Sequence, residues 1–187
     1  APSTLLLRLS SRLEALTEGP RDLPTRQRTL RATLAWSYDL LDEPEKILFF
    51  RLGCFAGGST LEDVNAVCSD NLNLNIAEGL ESLVNKSLLR NEHGLNDEQR
   101  FTMLETMREY ALEKLDESGE AASIFQQHAH YYLGMAEKAA EEFYGPKESY
   151  WQSRLEAQHD NLRAALKWRL KTEPNGQMAL RFIANLS

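Results

Sequence analysis

Cysteine is scarce in this chain: Cys54 and Cys68 are the two it has in 187 residues. Neither belongs to a CxxC pair, so a disulfide framework and a Cys-rich zinc site are both excluded. Positive charge is also short, with 21 Lys and Arg against 28 Asp and Glu and a net charge of −7. A general nucleic-acid or membrane-surface binder needs the opposite excess. Long apolar runs are missing: the longest, Leu5–Leu7 and Ile47–Phe50, fall far short of a membrane span. No lysine-bearing G-x-x-x-x-G-K-[ST] loop is present to cradle phosphates. The one Gly-pair candidate, AGGST at 56–60, reads as a helix break followed by an N-cap. No nucleophile is paired with a base, so the chain is expected to be non-catalytic and to hold no cofactor of its own.

Enough apolar residues are present, 42% of the chain, for a packed core. Their dominant period is helical. Leu5, Leu9, Leu13 and Leu16 share a face until Gly19-Pro20 interrupts, and the linker 18–28 carries two prolines. A second helix is expected over about 29–41, with Leu30, Leu34, Tyr38 and Leu41 inward. Trp36 and Tyr38 read as core at this spacing. Asp42 and Glu45 form a capping box with Pro44 in the first turn. Ser59 with Glu62 and Asn75 with Glu78 read as two more, opening helices to Cys68 and to about Asn85.

The period then changes. SLLR at 87–90 and RFTML at 100–104 are short strand-like runs around a polar turn. Short helices followed by a hairpin is the order of a winged helix. Beyond it, helices are expected at 105–117, 120–143 and 148–170, with a last one from about Gln177, as in the start of an α-solenoid. The fold class is therefore mainly α: a winged-helix domain at 25–104, a connecting helix at 105–118 and TPR-like α-hairpins from 119 to 187. Residues 1–24, the leucine-striped helix and the start of its linker, precede them. No basic-then-apolar signal segment opens the chain, which starts at Ala1 and stops inside a helical pattern. An excised piece of a longer cytoplasmic protein is the expectation.

Metal readings fail on geometry. His128 and His130 lie about 200° apart around a helix and cannot share a metal face; both read as surface or half-buried residues. The winged helix raises the question of DNA, because the second helix of such a reader needs basic and polar side chains. Its candidate here, NIAEGLESLVNK at 75–86, offers Glu78 and Glu81 against Lys86 alone. DNA contact through this module is therefore not expected, and no membrane contact either. The basic cluster Arg21, Arg26, Arg28 and Arg31 has two open readings, a solvated loop or a contact surface suited to carboxylate or phosphate.

The strings RDLPTRQRTLRATLAWSYDLLDEPEKILFFRLGCFAGGSTLEDVNAVC, LESLVNKSLL, RFTMLETMREYALEKL and LEAQHDNLRAALKW resemble, in order, one family. It comprises bacterial regulators that join a nucleotide-binding STAND/NB-ARC ATPase to a helical-repeat sensor, often with a LuxR- or SARP-type output module. The resemblance implies that the ATPase core, with its ATP or ADP, lies upstream of Ala1. It implies the upstream nucleotide-binding domain as intramolecular partner, and a protein or small-molecule signal at the repeats. Relatives carry Met-His-Asp at the end of the winged helix, where the histidine reads bound ADP. Here Met103 matches, Leu104 replaces the histidine and Glu105 the aspartate; leucine cannot donate to phosphate, and Glu105 suits the first turn of a helix. Candidates near a parent nucleotide site are thus Arg26, Arg28, Met103, Leu104 and Glu105. Candidates for interdomain contact are Arg21, Arg31, Tyr110 and Leu115. The expected role is a regulatory winged helix coupling an ATPase to its sensor. The alternatives are a DNA-binding winged-helix regulator with a helical effector domain, and a TPR-type adaptor.

Overall fold

The computed structural model describes residues 25–94, 98–143 and 145–172, with side chains from residue 31 onward. The leucine stripe of residues 5–16, Arg21 and the helix expected from Gln177 lie outside them, as do the side chains of Arg26, Arg28 and Leu30. The elements run α1 (Thr25–Asp39), α2 (Glu43–Leu52), α3 (Leu61–Cys68), α4 (Ile76–Asn85), β1 (Arg90–His93), β2 (Gln99–Thr102), α5 (Glu105–Ser118), α6 (Ala121–Glu142), α7 (Glu148–Ala157) and α8 (His159–Thr172). The chain is mainly helical with a winged-helix domain, as its periodicity leads one to expect.

Helix α2 is the hub. Asp42 caps it through the Glu45 amide while Glu45 reaches back to the Asp42 amide, at 2.9 and 3.0 Å. These reciprocal bonds satisfy donors that the first turn would otherwise leave open. Leu48 and Phe49 are fully enclosed, with Val64 and Val67 of α3, Leu80 and Leu83 of α4, and Ala111 and Leu115 of α5 in the same core. The charged residues of α2 are also put to use. Arg51 donates to the Cys68 and Asp70 carbonyls, each at 2.7 Å, and pairs with Glu120 at 2.7 Å, tying α2 to the end of α3 and the start of α6. Cys54 and Cys68 are buried free thiols. Burial and the neighbouring Cys68 push the Cys54 thiol well above its ordinary range, which keeps it inert.

The wing is a two-stranded antiparallel hairpin in which Arg90 faces Thr102 and His93 faces Gln99. A third partner comes from the loop before α3, where Ser59 and Phe101 exchange backbone bonds of 2.9 and 2.8 Å. Gly58 makes the approach possible. Its φ is +79°, and a Cβ there would meet Thr102 Cγ2 at 2.8 Å and the Phe101 carbonyl at 3.0 Å.

Several expectations need correction. Helix α1 begins at Thr25, so the non-helical linker does not run to 28; proline disrupts the residues before it far more than those after it. Trp36 is not core: it is 45% exposed, although Tyr38 on the same helix packs against Phe49 and Tyr110. The box at α3 is Thr60 with Asp63, not Ser59 with Glu62. Ser59 is occupied as a strand partner, which displaces the cap by one residue. Asn75 caps α4 as expected, though Glu78 contacts its side chain rather than its backbone. The helix expected over 148–170 is two, broken at Gln158.

Gly58 and Gly119 both hold positive φ, but a Cβ at Gly119 would meet nothing within 4 Å. Gly119→Ala should therefore cost about 1 kcal/mol of backbone strain. Gly58→Ala should cost about 3 kcal/mol, because overpacking adds to the same strain. Denaturant melts of the two variants decide it; equal losses would mean the wing does not press on the 56–60 loop.

Candidate functional site

The winged helix meets the helical hairpin across a mixed seam. Helix α3 packs on α6, and α5 runs from the wing to the start of α6. At its centre the loop after α2 presents three partly shielded backbone polar groups, and each finds a partner there. Asn161 of α8 supplies two: its Oδ1 accepts from the Ala56 amide at 2.8 Å, and its Nδ2 donates to the Gly58 carbonyl at 2.8 Å. Arg100 of β2 turns inward and donates to the Gly57 and Gly58 carbonyls at 3.1 and 3.2 Å. Gln158, at the break between α7 and α8, joins the parts. Its Oε1 accepts from Asn161 at 2.9 Å and Tyr132 at 3.3 Å, and its Nε2 donates to Asp63 at 2.7 Å. Tyr131 donates to the other Asp63 oxygen at 2.9 Å. Asp63, Gln158 and Asn161 are all essentially enclosed.

The seam shifts the acidity of its members. Burial, reinforced by the charge of Asp63, pushes the Tyr131 and Tyr132 phenols up. His128 lies between Phe55 and Tyr132, with ring centroids 5.5 and 4.6 Å away, and its Nε2 has no hydrogen-bond partner. It is not a surface or half-buried residue, as its spacing suggests, but enclosed. Burial lowers its pKa to about 4, despite an opposing contact with Asn161.

Helix α5 holds the named candidates in two groups. Arg31 forms a two-pronged pair with Glu113, one bond at 2.9 Å, and its guanidinium lies 5.9 Å from the Tyr110 ring. Tyr110 stands edge-on to Tyr38, and both Tyr110 and Leu115 are buried. Met103, Leu104 and Glu105 lie at the opposite end, roughly 12 Å along the helix axis from Glu113. Met103 is half-buried beside the α2 core, Leu104 is 41% exposed, and Glu105 sits in the first turn with its carboxylate 3.1 Å from Arg108. The structure thus joins Arg31 to Tyr110 and keeps the Met-Leu-Glu run apart from them. The polar seam was missed in the sequence. Gln158 and Asn161 fall where a continuous helical pattern predicts nothing special.

The candidate recognition helix α4 shows solvent Ala77, Glu78, Glu81 and Asn85. Lys86 is engaged by Glu45, with one bond of 2.6 Å. Burial opposes ionisation of Glu45, but Lys86, Ser82 and the Asp42 amide outweigh it and hold the carboxyl below its usual range. Among the described residues no group of three or more His, Cys, Asp or Glu could hold a metal. No helix among them is long and apolar enough to cross a membrane.

The family described as "Winged helix-turn-helix domain" matches residues 41–116. The chain is similar to "Putative HTH-type transcriptional regulator Rv0890c" of Mycobacterium tuberculosis and to "Putative HTH-type transcriptional regulator Mb0914c" of Mycobacterium bovis. It is 41% identical to each over 158 residues, 82% of this chain and 17% of theirs. It is 32% identical to "Uncharacterized protein Rv0894" of Mycobacterium tuberculosis over 134 residues, 68% of this chain and 33% of that one. The chain therefore spans about a sixth of the regulators it matches. No solved structure matches it.

The enclosed histidine gives the seam a pH dependence with a definite sign. An unfolded chain takes up its proton near the ordinary 6.5, the folded one only near 4. Stability from this group is therefore complete above pH 6.5 and is lost as pH falls towards 4. The full loss is about 3 kcal/mol. Chemical melts across that window should show the decline in the wild type and a flatter profile in His128→Leu. Identical slopes would place the histidine in contact with water.

Proposed function

We propose that this chain is a non-catalytic regulatory module of a larger HTH-type transcriptional regulator, acting in the cytoplasm. In this reading its winged helix is a coupling element rather than the DNA reader. One observation carries it: the outward face of α4 is acidic, and the lysine that follows is held by Glu45. The wing adds little, because Arg100 is turned into the seam and exposed Arg90 is offset by exposed Glu92 and Glu98. Phosphate contact is the main source of affinity for DNA, and this surface repels it.

The partner we assign to the winged helix is a nucleotide-binding domain upstream, in the part of the regulator that precedes this chain, with ATP or ADP bound there. Support for this comes from the residue blocks quoted above and from the 17% share of its relatives that the chain covers. Arg26 and Arg28 remain candidates for that contact. Leu104, exposed at the wing's end, suits an apolar contact better than a phosphate. The α6–α8 hairpin would carry the signal, and α5 would transmit it, a change of population between two interdomain arrangements.

A DNA-binding winged-helix regulator is the second reading. The winged helix-turn-helix match and the relatives' names favour it over the link to an ATPase, about which neither says anything. Fluorescence anisotropy with duplex DNA at physiological salt separates the two. The coupling reading expects weak, sequence-independent binding, in the range above about 10⁻⁶ M. Sequence-selective binding near 10⁻⁸ M would overturn it and establish the DNA reader.

Coupling also requires that the two halves behave as one. Thermal unfolding should show a single transition, and Tyr110→Ala should destabilise it by about 3 kcal/mol. Two separate transitions, with the variant moving neither, would leave α5 no part in signal transfer.

A further inference from the structure

A groove of about 670 Å³ opens between α6 and α7, beside the start of α3. Its volume lies in the range of small-molecule sites. Tyr131, Gly134 and Lys138 of α6 form its floor; Tyr150, Trp151 and Arg154 of α7 form its wall.

Gly134 is the telling residue. It lies in the middle of a 22-residue helix, is exposed, and a Cβ built on it would meet nothing within 4 Å. Glycine there costs about 1 kcal/mol of helix stability relative to alanine, and no protein neighbour accounts for it. What its bareness does provide is a strip of open backbone at the base of a groove with aromatic walls. Tyr150, 48% exposed, stands edge-on to the buried Trp151 at 5.2 Å; Arg154 lies 5.9 Å from its ring centroid and donates to its hydroxyl at 3.0 Å, which holds the exposed ring at the groove.

The charges set the sign of the occupant. Glu62 is paired with Arg154 at 2.7 Å, and Glu142 accepts from Lys147 and from the Trp151 indole, each at 3.0 Å. Both carboxylates are therefore engaged. Lys138 makes no ion pair among the described residues; the Glu142 carboxyl is held below its usual range chiefly by Lys147 and the Trp151 indole, with Lys138 adding least. With three cations against two anions, the groove is locally positive on a chain of net charge −7. We propose that it binds a small aromatic carboxylate, its ring between Tyr150 and the bare backbone at Gly134 and its carboxylate on Lys138. The site does not rest on the regulatory reading: a failed titration leaves the shared unfolding transition standing, and a split transition leaves the titration unaffected.

The test is calorimetric titration of the 187-residue chain with naphthalene-2-carboxylate and with its neutral analogue 2-naphthylmethanol. The carboxylate should bind saturably, and the alcohol about tenfold more weakly. Lys138→Gln should bring the carboxylate down to the level of the alcohol. Gly134→Leu should abolish binding while the melting temperature stays at or above that of the wild type, because the added side chain meets solvent and leucine is the better helix former. No saturable heat, equal affinity for the two probes, or binding retained in Gly134→Leu would each overturn the proposal. So would capture of an acidic peptide by a chain that ignores the carboxylate.

Discussion

Three backbone groups in the loop after α2 set the terms for the rest of the molecule: the Ala56 amide and the Gly57 and Gly58 carbonyls. The loop passes close to the wing for Ser59 to pair with Phe101, and its polar groups are left partly shielded from water. A backbone group that loses water without gaining a partner weakens the fold. Asn161 and Arg100 meet that demand from two different parts of the chain. The helical hairpin is thereby fixed at one angle and one height on the winged helix. Apolar packing of α3 on α6 alone would tolerate sliding; directional bonds from Asn161 and Gln158 do not.

This constraint bears on how the surface is used. Arg100 is spent inside, Arg51 ties α2 to α3 and α6, and Lys86 answers Glu45. Cations that a DNA reader would turn outward are thus employed in holding the fold together, while Glu78 and Glu81 face solvent. Fold alone would not have indicated it.

Much of the architecture could be read from the chain. The Asp42–Glu45 box and the apolar stripe of α6 each have one mechanism behind them, whereas the first strand, expected at 87–90, runs instead over Arg90–His93. The errors share a cause, which is that tertiary partners outbid local rules. Ser59 has the right spacing for a cap but pairs with Phe101 instead, so Thr60 takes over. Trp36 follows the helical stripe yet lies beside no neighbouring element among the described residues that would cover it. The break at Gln158 has no glycine or proline to announce it, because the demand for it comes from a loop a hundred residues earlier. Gln158 and Asn161 were visible only as polar letters in an otherwise helical string, and Gly134 as a glycine without a turn.

Asn161 holds the winged helix and the helical hairpin together through the 56–58 loop. Amide hydrogen exchange at Ala56 tests this most directly, because that amide donates to Asn161 Oδ1 and to no backbone carbonyl. In the wild type Ala56 should exchange markedly more slowly than a loop amide open to water, because Asn161 holds it. Asn161→Leu, of similar size but without an acceptor, should raise exchange there to the rate of an open loop while α2 stays protected. Unchanged protection of Ala56 in the variant would contradict that role.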